Sequence, residues 1–157
     1  MAYRILKKEE IAPSVHRMVV DAPDVAKAAK AGQFIILRID EKGERIPLTI
    51  ADFEKDKGEV TVIFQEMGKT TKQLAKLSEG EFLEDFVGPL GTPSDIRKLG
   101  TVILVGGGVG VAPIYPQAKA YTRAGNRVIS IIGARNKDLL ILEDEMRNAS
   151  SELYIAT

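Results

Sequence analysis

The sequence predicts two architectures in succession, an antiparallel β-barrel or sandwich and then a parallel α/β unit. Three observations carry that reading. Up to about residue 98, short alternating or β-branched runs are separated by turn residues, the signature of antiparallel strands joined by turns. Past Leu99 the runs become continuously apolar and alternate with helical stretches, as in a parallel sheet wound with helices. The first of these runs leads into Gly106-Gly107-Gly108-Val109-Gly110, a glycine-rich passage from strand to helix. The domains so defined are 1–97 and 98–157.

In the first half the strand runs are Val15 to Val20, Phe34 to Ile39, Glu59 to Gln65 and Phe82 to Val87. They are divided by Ala22-Pro23-Asp24, Asp40 to Glu44, Lys55 to Gly58 and Gly88 to Pro93. Val60, Val62 and Phe64 take one face of their strand and Thr61 and Gln65 the other. Ile63 breaks the alternation, which predicts cover on both sides. One helix is expected over Thr70 to Leu77, with Leu74, Ala75 and Leu77 inward.

In the second half Val102-Ile103-Leu104-Val105 reads as a strand buried on both faces. A helix is expected from Pro113 to Arg123, with Pro113 and Pro116 in its first turn, where a missing N–H costs nothing. Gly125-Asn126 stops it. Val128 to Ile132 is a second strand, Asp138 to Arg147 a second helix and Glu152 to Ala156 a third strand. Three strands and two helices make a thin domain, and no helix follows the last strand. The expectation is a shortened chain whose second domain is cut midway.

Composition narrows the chemistry. Of 157 residues, 45% are hydrophobic and 28% charged, which suffices for a true core. Twenty-two basic and 22 acidic residues give a net charge of zero, so nothing draws the chain to nucleic acid or to an anionic membrane. With no cysteine there is no disulfide, thiolate nucleophile or Cys-ligated metal centre in these residues, and one histidine makes no histidine-rich site. No apolar stretch approaches the roughly 20 residues of a membrane span, and the first ten lack a signal-peptide core. A cytoplasmic protein with a borrowed reactive group is expected.

The glycine run offers backbone N–H groups and a helix N-terminus to a phosphate. It matches neither G-x-G-x-x-G, since position 111 is valine, nor the Walker pattern, since no Gly-Lys-Ser/Thr follows. The second strand ends in Gly133-Ala134-Arg135. An arginine there suits adenine stacking or a 2′-phosphate, and equally an ordinary surface position. In the first half Glu44-Arg45-Ile46-Pro47-Leu48-Thr49-Ile50 begins a strand, and Gly68-Lys69-Thr70-Thr71-Lys72 opens the helix. The latter reads as a small anion nest or as a plain N-cap.

Together, Arg-x-Pro-Leu-Thr and Gly-x-x-Thr in a β-rich half, followed by Gly-Gly-Gly-Val-Gly-Val-Ala-Pro, resemble the ferredoxin–NADP reductase superfamily. Gly32-Gln33-Phe34 and Val87-Gly88-Pro89-Leu90-Gly91 extend the likeness over essentially the whole chain. Order and spacing are most similar to the electron-transfer subunits of dihydroorotate dehydrogenase. They are equally similar to the small subunit of NADH-dependent ferredoxin–NADP oxidoreductase or sulfide dehydrogenase. The resemblance implies a six-stranded antiparallel barrel holding FAD and an α/β domain, here incomplete, holding NADH or NADPH. It places Pro47, Leu48 and Thr49 along the flavin, with the backbone of Ile63, Phe64 and Gln65 running past it. Gly68, Thr70 and Thr71 would hold the pyrophosphate, with Arg45 as a further contact. Gly107, Gly108, Gly110 and Pro113 would floor the pyridine nucleotide, with Arg135 beside it.

The sequence departs from the family twice: Arg45 lies four residues before Thr49 rather than three, and Leu48 replaces a flavin-stacking tyrosine. The branch carries a [2Fe–2S] centre on C-terminal cysteines, so one is expected here only in a tail beyond residue 157. The function implied is an electron-transfer subunit that takes hydride from NAD(P)H and passes electrons to a larger iron–sulfur or flavin partner. A non-enzymatic docking module and a stand-alone flavin reductase are the rival readings. His16 is expected to be a surface or packing residue, Phe82 and Phe86 core, and Glu143, Asp144, Glu145 and Arg147 a solvated helix face.

Overall fold

The computed structural model describes residues 2–157. Seven strands form one antiparallel sheet: β1 (Tyr3–Ala12), β2 (Val15–Asp21), β3 (Phe34–Arg38), β4 (Ile46–Glu54), β5 (Glu59–Gln65), β6 (Phe82–Leu83) and β7 (Asp85–Leu90). Their order is β6-β1-β2-β5-β4-β3-β7. Every strand sends a residue into one core, among them Ile5, Met18, Leu37, Ile50, Val62, Leu83 and Phe86. Tyr3 of β1, next to one edge of the sheet, and Phe86 of β7, at the other edge, meet with ring centroids 5.9 Å apart. The sheet is therefore a nearly closed barrel. It has one strand more than the six expected, because the run Phe82 to Val87 is broken into two short strands.

That break corrects one expectation: Phe82 is 56% exposed, whereas Phe86 is buried. The turn expected at Ala22-Pro23-Asp24 is instead the start of a short helix, α1 (Pro23–Ala28), with proline in its first turn and Asp24 at the positive end. It sends Val25 and Ala26 into the barrel core. Helix α2 (Lys69–Ala75) plugs Leu74 into the same core.

The second sheet is parallel, in the order β10-β9-β8, from β8 (Thr101–Gly107), β9 (Arg127–Gly133) and β10 (Glu152–Ala156). Helices α3 (Val111–Arg123) and α4 (Glu143–Ala149) cover one face of it, burying Leu104, Val128 and Ile132. The other face stays open: Ile103 is 62% and Val105 68% exposed. The expectation of a strand buried on both sides fails because both helices lie on the same side. Ile63, Ala51, Val15 and Ala12 of the barrel join this second core, so β5 is covered on both faces as its pattern predicted.

Two helices differ from their sequence patterns. A 3₁₀ turn over Gly108–Gly110 runs straight into α3, so the helix starts at Val111 and Pro116 falls inside it, beyond the first turn. The single helix expected over Asp138 to Arg147 is a 3₁₀ turn (Lys137–Leu139), an extended Leu140 and then α4. Four consecutive apolar residues, 139–142, cannot share one helical face, and the extended passage directs Ile141 and Leu142 into the second core. Leu142 takes a left-handed φ of 57° to begin α4. Asn126 fastens the connection between the sheets. Its carboxamide accepts from the backbones of Leu99 and Gly100 (2.6 and 2.9 Å) and donates to Arg97 and Tyr121 (2.9 and 3.0 Å).

Candidate functional site

Two cavities meet where the barrel touches the parallel sheet. The first, of about 390 Å³, is walled by Pro47, Leu48 and Thr49 of β4, and by Ile63, Phe64 and Gln65 of β5. Thr71 and Met67 close one end, and Gly110, Ala112 and Pro113 the other. The second, of about 320 Å³, is lined by Gly107, Gly108, Gly133 and Arg135, with Val15, Leu139 and Ile141 opposite. Gln65 and Val109 line both cavities. The two spaces are therefore neighbours across a single residue's thickness.

The glycines divide into two kinds. A Cβ on Gly106 would meet the Gly110 carbonyl oxygen at 2.9 Å and Ile114 Cδ1 at 2.9 Å, so that glycine is required by the close approach of β8 to α3. A Cβ on Gly107, Gly108 or Gly110 would find no atom within 4 Å. Gly108 needs glycine for its φ of +56°, but Gly107 (φ −124°) and Gly110 (φ −64°) sit in backbone that any residue adopts. The fold places no demand on those two. What they keep clear is the cavity.

The helix α2 turns a third, more polar space of about 440 Å³ away from the first. Thr70 and Lys69 line it with Asp40, Lys42 and Glu44, while the adjacent Thr71 lines the first cavity. Gly68 caps α2 in extended backbone, with open space where its Cβ would be. Thr71 Oγ1 accepts from the N–H groups of Met67 and Gly68 at 2.9 and 3.0 Å, and buried Thr70 donates to Glu44. The N–H groups of the first helical turn lack acceptors within the helix. Arg45 stands apart, its guanidinium turned to Asp85 at 3.4 Å, which Arg38 already engages at 2.6 Å.

Several residues escaped sequence reasoning. Val15, Met67, Leu139 and Ile141 are apolar residues at strand or turn ends, with no local signal to mark them. His16 is buried against Phe64, ring centroids 5.4 Å apart, with Nε2 2.9 Å from Glu66 and 3.9 Å from Glu10. The carboxylate accepts, so Nε2 carries the hydrogen. Nδ1 is the buried side-chain polar atom without a partner among the described residues. The cluster is thus a packing histidine paired with an acid. Arg17 joins Glu9 to Glu145 at 2.8 and 2.6 Å, so Glu145 is drawn off the solvated face expected for it. Burial pushes the Arg17 guanidinium down, but hydrogen bonds to Glu145 and Glu9 outweigh it and hold the group above its usual value.

The barrel followed by the parallel sheet is the fold of the ferredoxin–NADP reductases. Phthalate dioxygenase reductase, 20% identical, shares the fold with a TM-score of 0.83 over 99% of this chain and 51% of its own. More particularly, the chain is homologous to dihydroorotate dehydrogenase electron-transfer subunits. A homologue of that subunit in Thermotoga maritima is 47% identical over 151 residues, 96% of this chain and 54% of the relative. An uncharacterized protein from the adh 3′ region of Clostridium beijerinckii is 52% identical over 162 residues, 99% of this chain and 55% of the relative. The structure of an NADH-dependent reduced ferredoxin–NADP oxidoreductase, which was solved for its flavin-based electron bifurcation, superposes with a TM-score of 0.92 at 47% identity. It is matched over 97% of this chain and 55% of its own. The chain spans about half the length of the relatives it matches. No family model matches it. No helix among the described residues is long and apolar enough to cross a membrane.

Proposed function

We propose that this chain binds FAD in the first cavity and NADH or NADPH over Gly107–Gly110, and serves as an electron-transfer component that feeds a larger partner subunit. The carrying observation is the open space at Gly107 and Gly110, where the fold itself requires no glycine. Backbone N–H groups there can meet a pyrophosphate that a Cβ would hold off. On the barrel side the largely apolar wall of β4 and β5 suits a flat ring. The Gly68–Thr71 turn, between that wall and the polar third cavity, suits the pyrophosphate of a dinucleotide, with its adenosine end beyond. The two groups, once bound, supply hydride transfer from nicotinamide to flavin.

The protein's share is geometry. Gln65 and Val109 border both cavities, so ligands in the two would lie side by side. Holding reacting groups in that register is worth several orders of magnitude in rate. Pro113, lacking an N–H, stands in the first turn of α3, where none is needed, and walls the first cavity. Arg135 lines the second cavity, where it would suit the adenosine end of the nucleotide. The chain has no cysteine to hold a cluster, so electrons leave to groups outside these residues, in line with an iron–sulfur or flavin partner.

The test is to strip and reload the protein with FAD, then add each pyridine nucleotide. We expect a yellow protein that bleaches with NADH or NADPH. Gly107→Val should retain FAD and thermal stability but lose bleaching, since valine suits that extended backbone and projects into the nucleotide space. A protein that takes up no FAD would overturn the reading.

A further inference from the structure

We infer that Arg17 is a positioning residue: through Glu145 it fixes the wall of the nucleotide cavity against the strand that lines the flavin cavity. The inference rests on the cofactor assignment proposed above. Arg17 lies on β2, opposite Glu9 of β1 and Ile63 of β5. Its Nε and Nη2 both donate to Glu9 Oε1, at 2.9 and 2.8 Å, which sets the plane of the guanidinium. Nη1 is left to donate across the interface to Glu145 Oε2 at 2.6 Å.

The contact joins two walls. On the barrel side, Ile63 is the strand partner of Arg17 and lines the first cavity. On the other side, Glu145 lies in the first turn of α4, which Leu142 opens in left-handed backbone. Just before it, Leu139 and Ile141 line the second cavity. A nucleotide pressed against Leu139 and Ile141 is thereby held at a distance that Glu145 and Arg17 set. A second cross-interface pair, Lys119 Nζ to Asp52 Oδ1 at 2.5 Å, joins α3 to β4. It guards the far side of a small cavity of about 200 Å³ between the two contacts. Solvent-exposed pairs contribute little, but this one is a short bond between largely buried side chains, 27% and 33% exposed, from a guanidinium that Glu9 holds by two other donors.

Glu145→Gln tests it, because Glu9 continues to neutralise Arg17 and the fold is spared. In flavin-free protein, amide hydrogen exchange in α4 should quicken about fivefold while β1 and β5 stay unchanged. With FAD bound and nucleotide saturating, single-turnover flavin reduction should slow about tenfold, the half-saturating concentration moving less than about threefold. Unchanged exchange overturns the inference. Faster exchange with an unaltered reduction rate also overturns it, since the pair is then only a stability contact. If the unsubstituted protein is reduced by neither nucleotide, the cofactor assignment fails and this inference falls with it.

Discussion

Tyr115 faces the small interface cavity beside Asp52 and Glu145, with the Lys119 ammonium 4.8 Å from its ring centre. Burial first, then the charges of Asp52 and Glu145, push its hydroxyl above the usual 10.0. A raised folded-state value means the unfolded chain loses this proton first. The stabilisation is complete below the unfolded value and declines as pH rises from there through the folded one. Urea midpoints should therefore fall above about pH 10, and Tyr115→Phe should remove that alkaline part of the profile. An identical fall in the variant would assign it to another group. At this scale the sequence was legible where chemistry forces a residue type and silent where partners are distant. The glycine run was readable as a phosphate cradle, but Gly106 could not be told from Gly107, because the atoms that crowd it come from the following helix. Asn126 was readable as a helix stop. Its four hydrogen bonds depend on where the chain from Arg97 to Gly100 passes. Arg17 and Glu145, 128 residues apart, carried no local mark.

Among the elements, β8 separates what hydropathy can and cannot say. The run Val102 to Val105 announces a strand, and a strand forms; which of its faces is covered depends on where α3 and α4 land. Val105→Thr should leave stability within about 0.5 kcal/mol, since that side chain is already in water. Leu104→Ala, beneath the helices, should cost roughly 2–4 kcal/mol in chemical denaturation. Equal losses would contradict the one-sided packing. Strands of the first half were legible from alternation because turns with glycine and proline frame them. Three elements were missed: β1, ten residues whose many charges mask the strand and which buries only Ile5 and Ala12; α1, whose first proline also suits a turn; and β6, with only two residues. The division of 137–149 into a 3₁₀ turn, an extended link and α4 was hidden by an apolar run compatible with either form.

For the whole molecule the decisive feature is that the second core crosses between the sheets. The barrel has its own interior, but Ala12, Val15, Ala51 and Ile63 pack with Val111, Ala112 and Ile141. Residues 98–157 expressed alone should therefore show no cooperative unfolding, while the intact chain should unfold in one transition by circular dichroism. Two transitions in the intact chain would show the cores to be independent. Such sharing explains why the cavities sit where they do: the seam that buries Ile63 also aligns Gln65 with Val109. The open face of the parallel sheet has a further effect. Ile103, Val105 and Tyr154 stand bare in water there, and Ile131 is half bare between them. Strongly hydrated salts make such oily ground adhesive. In concentrated sulfate or phosphate the molecules will salt out through this patch.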